Sequence, residues 1–259
     1  MSERIQVEQT DHVLTITNND PATRNSLTPE FYIGLREKIE AVSLDSGVRA
    51  IVLTGAGNFF CSGGNLQGLK ERSQATRDER MGSVSNLHDM ISAIRLCPKP
   101  IIAAIEGGAA GAGVPLALAC DMIVAARDAY MSIAYIRIGL TPDGGTTAFL
   151  GPAIPRQLLS EMIMTGDRID VARLKDLGVI NALSEPGTAL TEAHSLARRL
   201  SLAPPAAIAY GKQLIRSSNS ASFADQLDAE ASGIADALGG PEAREGIAAF
   251  LEKRQPDWR

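Results

Sequence analysis

A chain of 259 residues with 45% hydrophobic and 21% charged residues can bury one sizeable core and is too apolar to stay disordered. Its net charge of −5 argues against the clustered basic surface that nucleic-acid binding needs, and no apolar run approaches the roughly 20 residues that span a bilayer. The first residues lack the basic start and apolar run of a signal peptide, and Cys61, Cys97 and Cys120 have no metal-type spacing. Reduced thiols in a cytoplasmic protein without a metal site are therefore expected.

In chain order, Ile5 and Val7, then Val13, Leu14 and Ile16, read as two short strands around a turn at Thr10-Asp11. Pro29 opens an amphipathic helix whose apolar positions Phe31, Leu35, Ile39 and Val42 recur at helical spacing. Ala50 to Thr54 is an apolar strand that stops at Gly55-Ala56-Gly57. Met81, Val84, Leu87, Ile91 and Ile94 mark one face of a second long helix, closed by Pro98 and Pro100. Pro100 to Ile105 predicts another buried strand. Gly107 to Ala119 reads as a turn leading into a small-residue helix, and Met122 to Ala126 returns to strand.

Strands apolar on both faces, alternating with Gly turns and helices, predict an α/β fold with layers on both sides of the sheet. Beyond Pro186 the strand-like runs stop. Leu196 to Leu202, Ala206 to Ile215, Phe223 to Leu238 and Pro241 to Lys253 all have helical period. The chain thus divides into a core over 1–187 and an all-helical region over 188–259. The apolar faces of that region are expected to pack on the core and on other subunits.

Two Gly-rich segments carry the chemistry. Gly57 to Leu66 follows one strand directly, and Glu106 to Val114 joins another strand to a helix. Glycine permits positive φ and close approach of a ligand to the backbone, and a helix start offers free N–H groups. Two such turns side by side could point one N–H each at a single oxygen, an oxyanion hole. Tight packing explains a Gly/Ala-rich helix start equally well. There is no phosphate-binding G-x-x-x-x-G-K-[ST] motif, and Gly111 to Leu116 lacks the third glycine of a dinucleotide fingerprint.

Phe60-Cys61-Ser62-Gly63-Gly64-Asn65-Leu66, Pro100 to Gly107 and Gly139-Leu140-Thr141-Pro142-Asp143-Gly144-Gly145 fall in the order and spacing of the crotonase (enoyl-CoA hydratase/isomerase) superfamily, which the chain resembles from its first strands to Arg254. Within it, the flavour is similar to ring isomerases and oxepin-CoA hydrolase-like members. The resemblance implies a spiral of ββα units, a helical C-terminal oligomerisation region, a homotrimer or a hexamer of paired trimers, and an acyl-CoA thioester substrate with no further cofactor. By position it places the oxyanion donors at the N–H of Gly64 and Ala112, the second usually a glycine in similar proteins. Contacts to coenzyme A are implied at Arg24, Ser62, Gly63, Gly64, Asn65 and Leu66. Phe250 and Lys253 would serve a neighbour's coenzyme, although Lys253 also fits a solvated helix end.

The resemblance also sorts the reactions. Similar hydratases carry two glutamates where this chain has Pro115 and Tyr135, so simple hydration of a 2-enoyl-CoA is not the first expectation. Asp143 remains as the carboxylate, either an N-cap for the following residues or, as in similar isomerases, the base for a proton shift. A hydrolase or dehalogenase reading uses Asp143 as nucleophile and His88 as base, with Tyr135 as an aromatic wall; His88 fits the edge of an apolar helix face as well. A non-catalytic scaffold or RNA-binding role is the remaining alternative, against which the acidic balance stands.

Overall fold

The computed structural model describes residues 4–258. Strands β1 (Ile5–Thr10) and β2 (Val13–Asn18) form a hairpin, and helix α1 (Pro29–Ser43) follows. The Thr28 hydroxyl accepts the Phe31 N–H and caps α1, which buries Phe31, Leu35 and Ile39. Next come β3 (Ala50–Gly55), α2 (Leu66–Ser73), α3 (Arg77–Leu96), β4 (Ile101–Ile105), β5 (Gly108–Ala110), α4 (Gly113–Leu118), β6 (Met122–Ala126) and β7 (Tyr130–Ser132). A 3-10 turn over Ala134–Ile138 leads to α5 (Thr146–Leu150), α6 (Arg156–Thr165), β8 (Arg168–Asp170), α7 (Val171–Asp176) and β9 (Ala182–Ser184). Helices α8 (Ala189–Ser201), α9 (Pro205–Ser218), α10 (Phe223–Gly239) and α11 (Pro241–Glu252) complete the chain.

The strands form two sheets, one of order β1-β2-β3-β4-β6-β9 and one of order β5-β7-β8. From β2 onward the larger sheet is parallel. The chain visits the sheets in turn, from β4 to β5, from β6 to β7, from β8 to β9, and so winds as a spiral. The expected α/β spiral is the observed fold. The segment 107–119 differs in detail. It holds the short strand β5 before its helix, because parallel pairing with β7 captures Gly108 to Ala110.

Alternation along each central strand explains why both faces read as apolar. Ile51, Leu53, Ile101, Ala103 and Ile105 pack into the main core with Phe31, Leu35 and Met90. Ala50, Val52, Ile102, Ala104 and Val124 face the other way and meet Ala193 and Ala197 of α8. A small-residue stripe at helical spacing lets α8 sit close on the sheet. Its first turn is held by Glu106, whose carboxylate accepts the N–H of Gly187 at 3.0 Å and of Ala189 at 2.8 Å. Among the described residues no helix is long and apolar enough to cross a membrane.

Helix α9 is tied to the core by Lys212 and by Arg216, whose guanidinium donates to the Arg95 carbonyl at 3.3 Å. The ammonium of Lys212, whose side chain is 10% exposed, donates to the carbonyls of Ile94 and Lys99 and to Asp121 Oδ2 at 2.7 Å. Asp121 in turn accepts the Ile101 N–H at the start of β4. Removing the lysine would strand a carboxylate that burial already pushes towards its neutral form. Lys212→Met should therefore cost about 1–3 kcal/mol, read as an earlier midpoint in urea unfolding. An unchanged midpoint would show that α9 docks without this tie.

Candidate active site

The two Gly-rich turns lie against each other. Cys61 and Ala109 form a parallel bridge, in which the Ala110 N–H donates to the Cys61 carbonyl at 2.9 Å. The Phe60 N–H also reaches the Glu106 carbonyl at 2.9 Å. Two glycines permit this approach. Gly63 has φ +93°, and a Cβ there would stand 2.7 Å from the Ala110 carbonyl oxygen. At Gly113, which opens α4, a Cβ would come within 2.5 Å of the Cys61 carbonyl oxygen.

The contact leaves two donors free. Among the described residues neither the Gly64 N–H nor the Ala112 N–H has an acceptor, although the N–H groups on either side of Gly64 are bonded to Cys61 Sγ and the Leu27 carbonyl. Ala112 adopts φ −65° and ψ −10°, ordinary right-handed backbone, so alanine offers its N–H there without strain. Burial pushes the Cys61 thiol up to about 12, which keeps it a neutral packing group beneath the turns.

Gly64 and Ala112 open into a cleft of about 940 Å³. Its walls include Leu69, Val84, Leu87, Ile138 and Leu140, with Ser62 and Leu66 also on the lining. Asp143 is the carboxylate among the lining residues. The glycine that follows it, Gly144, packs with φ +61° over Pro115 and Leu87. Asp143 does not cap a helix with its side chain. Its backbone carbonyl accepts the N–H and hydroxyl of Thr146, while its Oδ1 accepts the Tyr135 hydroxyl at 2.7 Å.

Electrostatics follow from that geometry. Burial raises the Asp143 pKa, opposed by the Tyr135 hydrogen bond and then by the positive charges of His88 and Arg72. Tyr135 is itself buried, and the adjacent carboxylate reinforces the upward shift, so its phenol stays a donor. The buried Tyr32 also lines the cleft, its phenol pushed up to about 12 by burial although the nearby Arg72 opposes the shift. Neither the Tyr135–Asp143 bond nor the presence of Tyr32 and Arg72 was legible beforehand. Tyr135 sits on a 3-10 turn without periodic signal, and Tyr32 and Arg72 lie far from Asp143 along the chain.

The other expected site residues are placed as follows. Ser62 donates its hydroxyl to the Thr23 carbonyl and its N–H to the Arg24 carbonyl, and Arg24 lies exposed over the Phe59 ring. Gly63 is buried behind Gly64. Asn65 caps α2, its Oδ1 accepting the Gly68 N–H at 2.9 Å. His88 is exposed on α3 and does not line the cleft, although it follows the wall residue Leu87. Phe250 and Lys253 end α11, both exposed and both away from this chain's own cleft. Among the described residues no three His, Cys, Asp or Glu side chains converge to hold a metal ion.

Residues 8–259 match the enoyl-CoA hydratase/isomerase family. The chain belongs to that family. A crystal structure of an enoyl-CoA hydratase from Polaromonas sp. JS666 superposes with a TM-score of 0.96 at 42% identity, covering 98% of this chain and 99% of the other. The 1,2-epoxyphenylacetyl-CoA isomerase of Escherichia coli K12 is 32% identical over 95% of this chain and 94% of its own length. The 2,3-dehydroadipyl-CoA hydratase of the same organism is 31% identical over 100% and 99%. An enoyl-CoA hydratase/isomerase acts on acyl-CoA thioesters.

In this enoyl-CoA hydratase/isomerase the Tyr135–Asp143 bond makes a pH prediction. The hydroxyl favours the ionised carboxylate, so its loss should raise the Asp143 pKa beyond what burial already does. A base works only when ionised, so with Asp143 in that role the acidic limb of kcat/KM should move to higher pH in Tyr135→Phe. A limb that stays in place or moves to lower pH would mean that Asp143 does not govern the rate.

Proposed function

We propose that the protein shifts a proton within an unsaturated or ring-bearing acyl-CoA, with Asp143 as the acid/base group. The observation that carries this reading is a single half-buried carboxylate of raised pKa lining the same cleft as two unbonded N–H groups. Asp143 takes a proton from the carbon α to the thioester. The electron pair moves into a new carbon–carbon double bond, and the carbonyl oxygen becomes an enolate accepting the Gly64 and Ala112 N–H groups. The protonated Asp143 then delivers the same proton to C4, which moves the double bond into conjugation. Each oxyanion donor should lower the barrier by roughly 2.7–4 kcal/mol. The only coenzyme in this scheme is the one carried by the substrate.

The surroundings of Asp143 favour this over hydration. Adding water across a 2-enoyl-CoA uses one group to activate the water and another to protonate carbon. The positions where similar hydratases carry glutamates hold Pro115, packed under Gly144, and Tyr135, which stays protonated. The hydrolase reading is less favoured, because His88 is exposed and off the lining. The two Escherichia coli relatives are named as an isomerase and a hydratase, and assays of both activities distinguish the readings.

Incubation of an acyl-CoA in deuterium oxide should give exchange of its α-protons, lost in Asp143→Asn while coenzyme A still binds. Exchange at the wild-type rate in that variant would remove Asp143 from the chemistry. Hydration of crotonyl-CoA at an ordinary turnover, roughly 1–1,000 per second, would replace isomerisation with hydration as the activity.

Assembly belongs to the same reading. Phe223, Leu227, Ile234, Leu238, Ile247 and Phe250 leave apolar side chains exposed along α10 and α11. Faces of this extent are normally covered in soluble proteins. Burial between subunits of the helical region from residue 188 would carry Phe250 and Lys253 towards a neighbour's cleft. Sedimentation at micromolar concentration should then show a trimer or hexamer whose melting temperature rises with coenzyme A. A fully active monomer would contradict both points.

A further inference from the structure

Four cations line the cleft: Lys70, Arg72, Arg80 and Arg137. Three of them are exposed at the rim, where Arg137 pairs with Asp167 at 3.0 Å and Arg80 donates to the Ala75 carbonyl. Arg72 is different. It is half-buried on α2, and its guanidinium donates to the Ser83 hydroxyl of α3. Among the described residues it has no carboxylate partner within ion-pair distance, yet its charge is felt by both Tyr32 and Asp143. Of the four cations lining the cleft it is thus the least exposed.

A half-dehydrated guanidinium without a counter-ion is a recognition element awaiting an anion. The Ser83 bond fixes one edge of its planar fork and leaves other N–H groups for a ligand. Apolar walls at Leu69, Val84 and Leu87 can take the methylenes between the two ends of such a ligand. We propose that Arg72 is a specificity-determining residue that selects acyl groups ending in a carboxylate, that is, mono-thioesters of dicarboxylic acids. The inference rests on the acyl-CoA reading of the cleft and names its substrate class. A carboxylate beside Arg72 gains charge-assisted, bidentate hydrogen bonds that a methyl terminus cannot make.

Calorimetric titration with adipyl-CoA and hexanoyl-CoA tests this, since the two share coenzyme A and chain length and differ at the terminus. The wild-type protein should bind adipyl-CoA at least about tenfold more tightly. Arg72→Met should bring that ratio close to unity, while Ser83→Ala, which keeps the guanidinium, should retain most of it. Equal affinities in the wild type, or a preference that survives Arg72→Met, would overturn the assignment while leaving the acyl-CoA reading intact. Failure of both thioesters to bind the wild type would instead bring down that reading, and this assignment with it.

Discussion

The contact between the two Gly-rich turns is the constraint on which the site depends. It joins the end of β3 to the end of β4 through the Cys61–Ala109 bridge. Parallel pairing of β3 with β4 brings the turns to the same end of the strands, and glycine at 63 and 113 lets the backbones close. The neighbours of Gly64 spend their N–H groups on Cys61 and Leu27, so the loop is fixed while its own donor stays free. Ala112 follows from the same closure, as the residue just before α4. Donors held by the fold in this way would need no rearrangement as charge developed on a bound oxygen, which is what the proposed oxyanion role requires.

The same cleft is lined by a carboxylate that the fold makes more basic than usual. Pro115 and Leu87 beneath Gly144 fix the turn, and burial raises the pKa of Asp143. Tyr135 partly offsets the shift and aims the group. The mixed character of the cleft has the same origin: apolar walls drawn from α2, α3 and the 3-10 turn, and one inward guanidinium from α2.

Much of the frame was legible in the sequence because it rests on local pattern. The central strands β3, β4 and β6 are short apolar runs, the first two bounded by Gly or Pro, and α1 and α3 show helical spacing of Leu35, Ile39, Leu87, Ile91 and Ile94. The small strand β5 escaped because its three residues take their identity from pairing with β7. The Asp143 side chain could be read as a cap, since Asp-Gly-Gly-Thr fits a helix start; its actual partner, Tyr135, lies on a non-periodic turn. Arg72 and Ser83 both sit on helix faces that look solvated, and only tertiary packing turns them into the cleft.

The central claim is that one oxygen is held between two backbone turns, opposite Asp143. A crystal structure with a saturated acyl-CoA tests it most directly. The account predicts the thioester oxygen at hydrogen-bond distance from both the Gly64 and Ala112 nitrogens, about 3 Å, with the α-carbon facing the Asp143 carboxylate. A thioester bound elsewhere in the cleft, or held with its α-carbon turned away from Asp143, would contradict it.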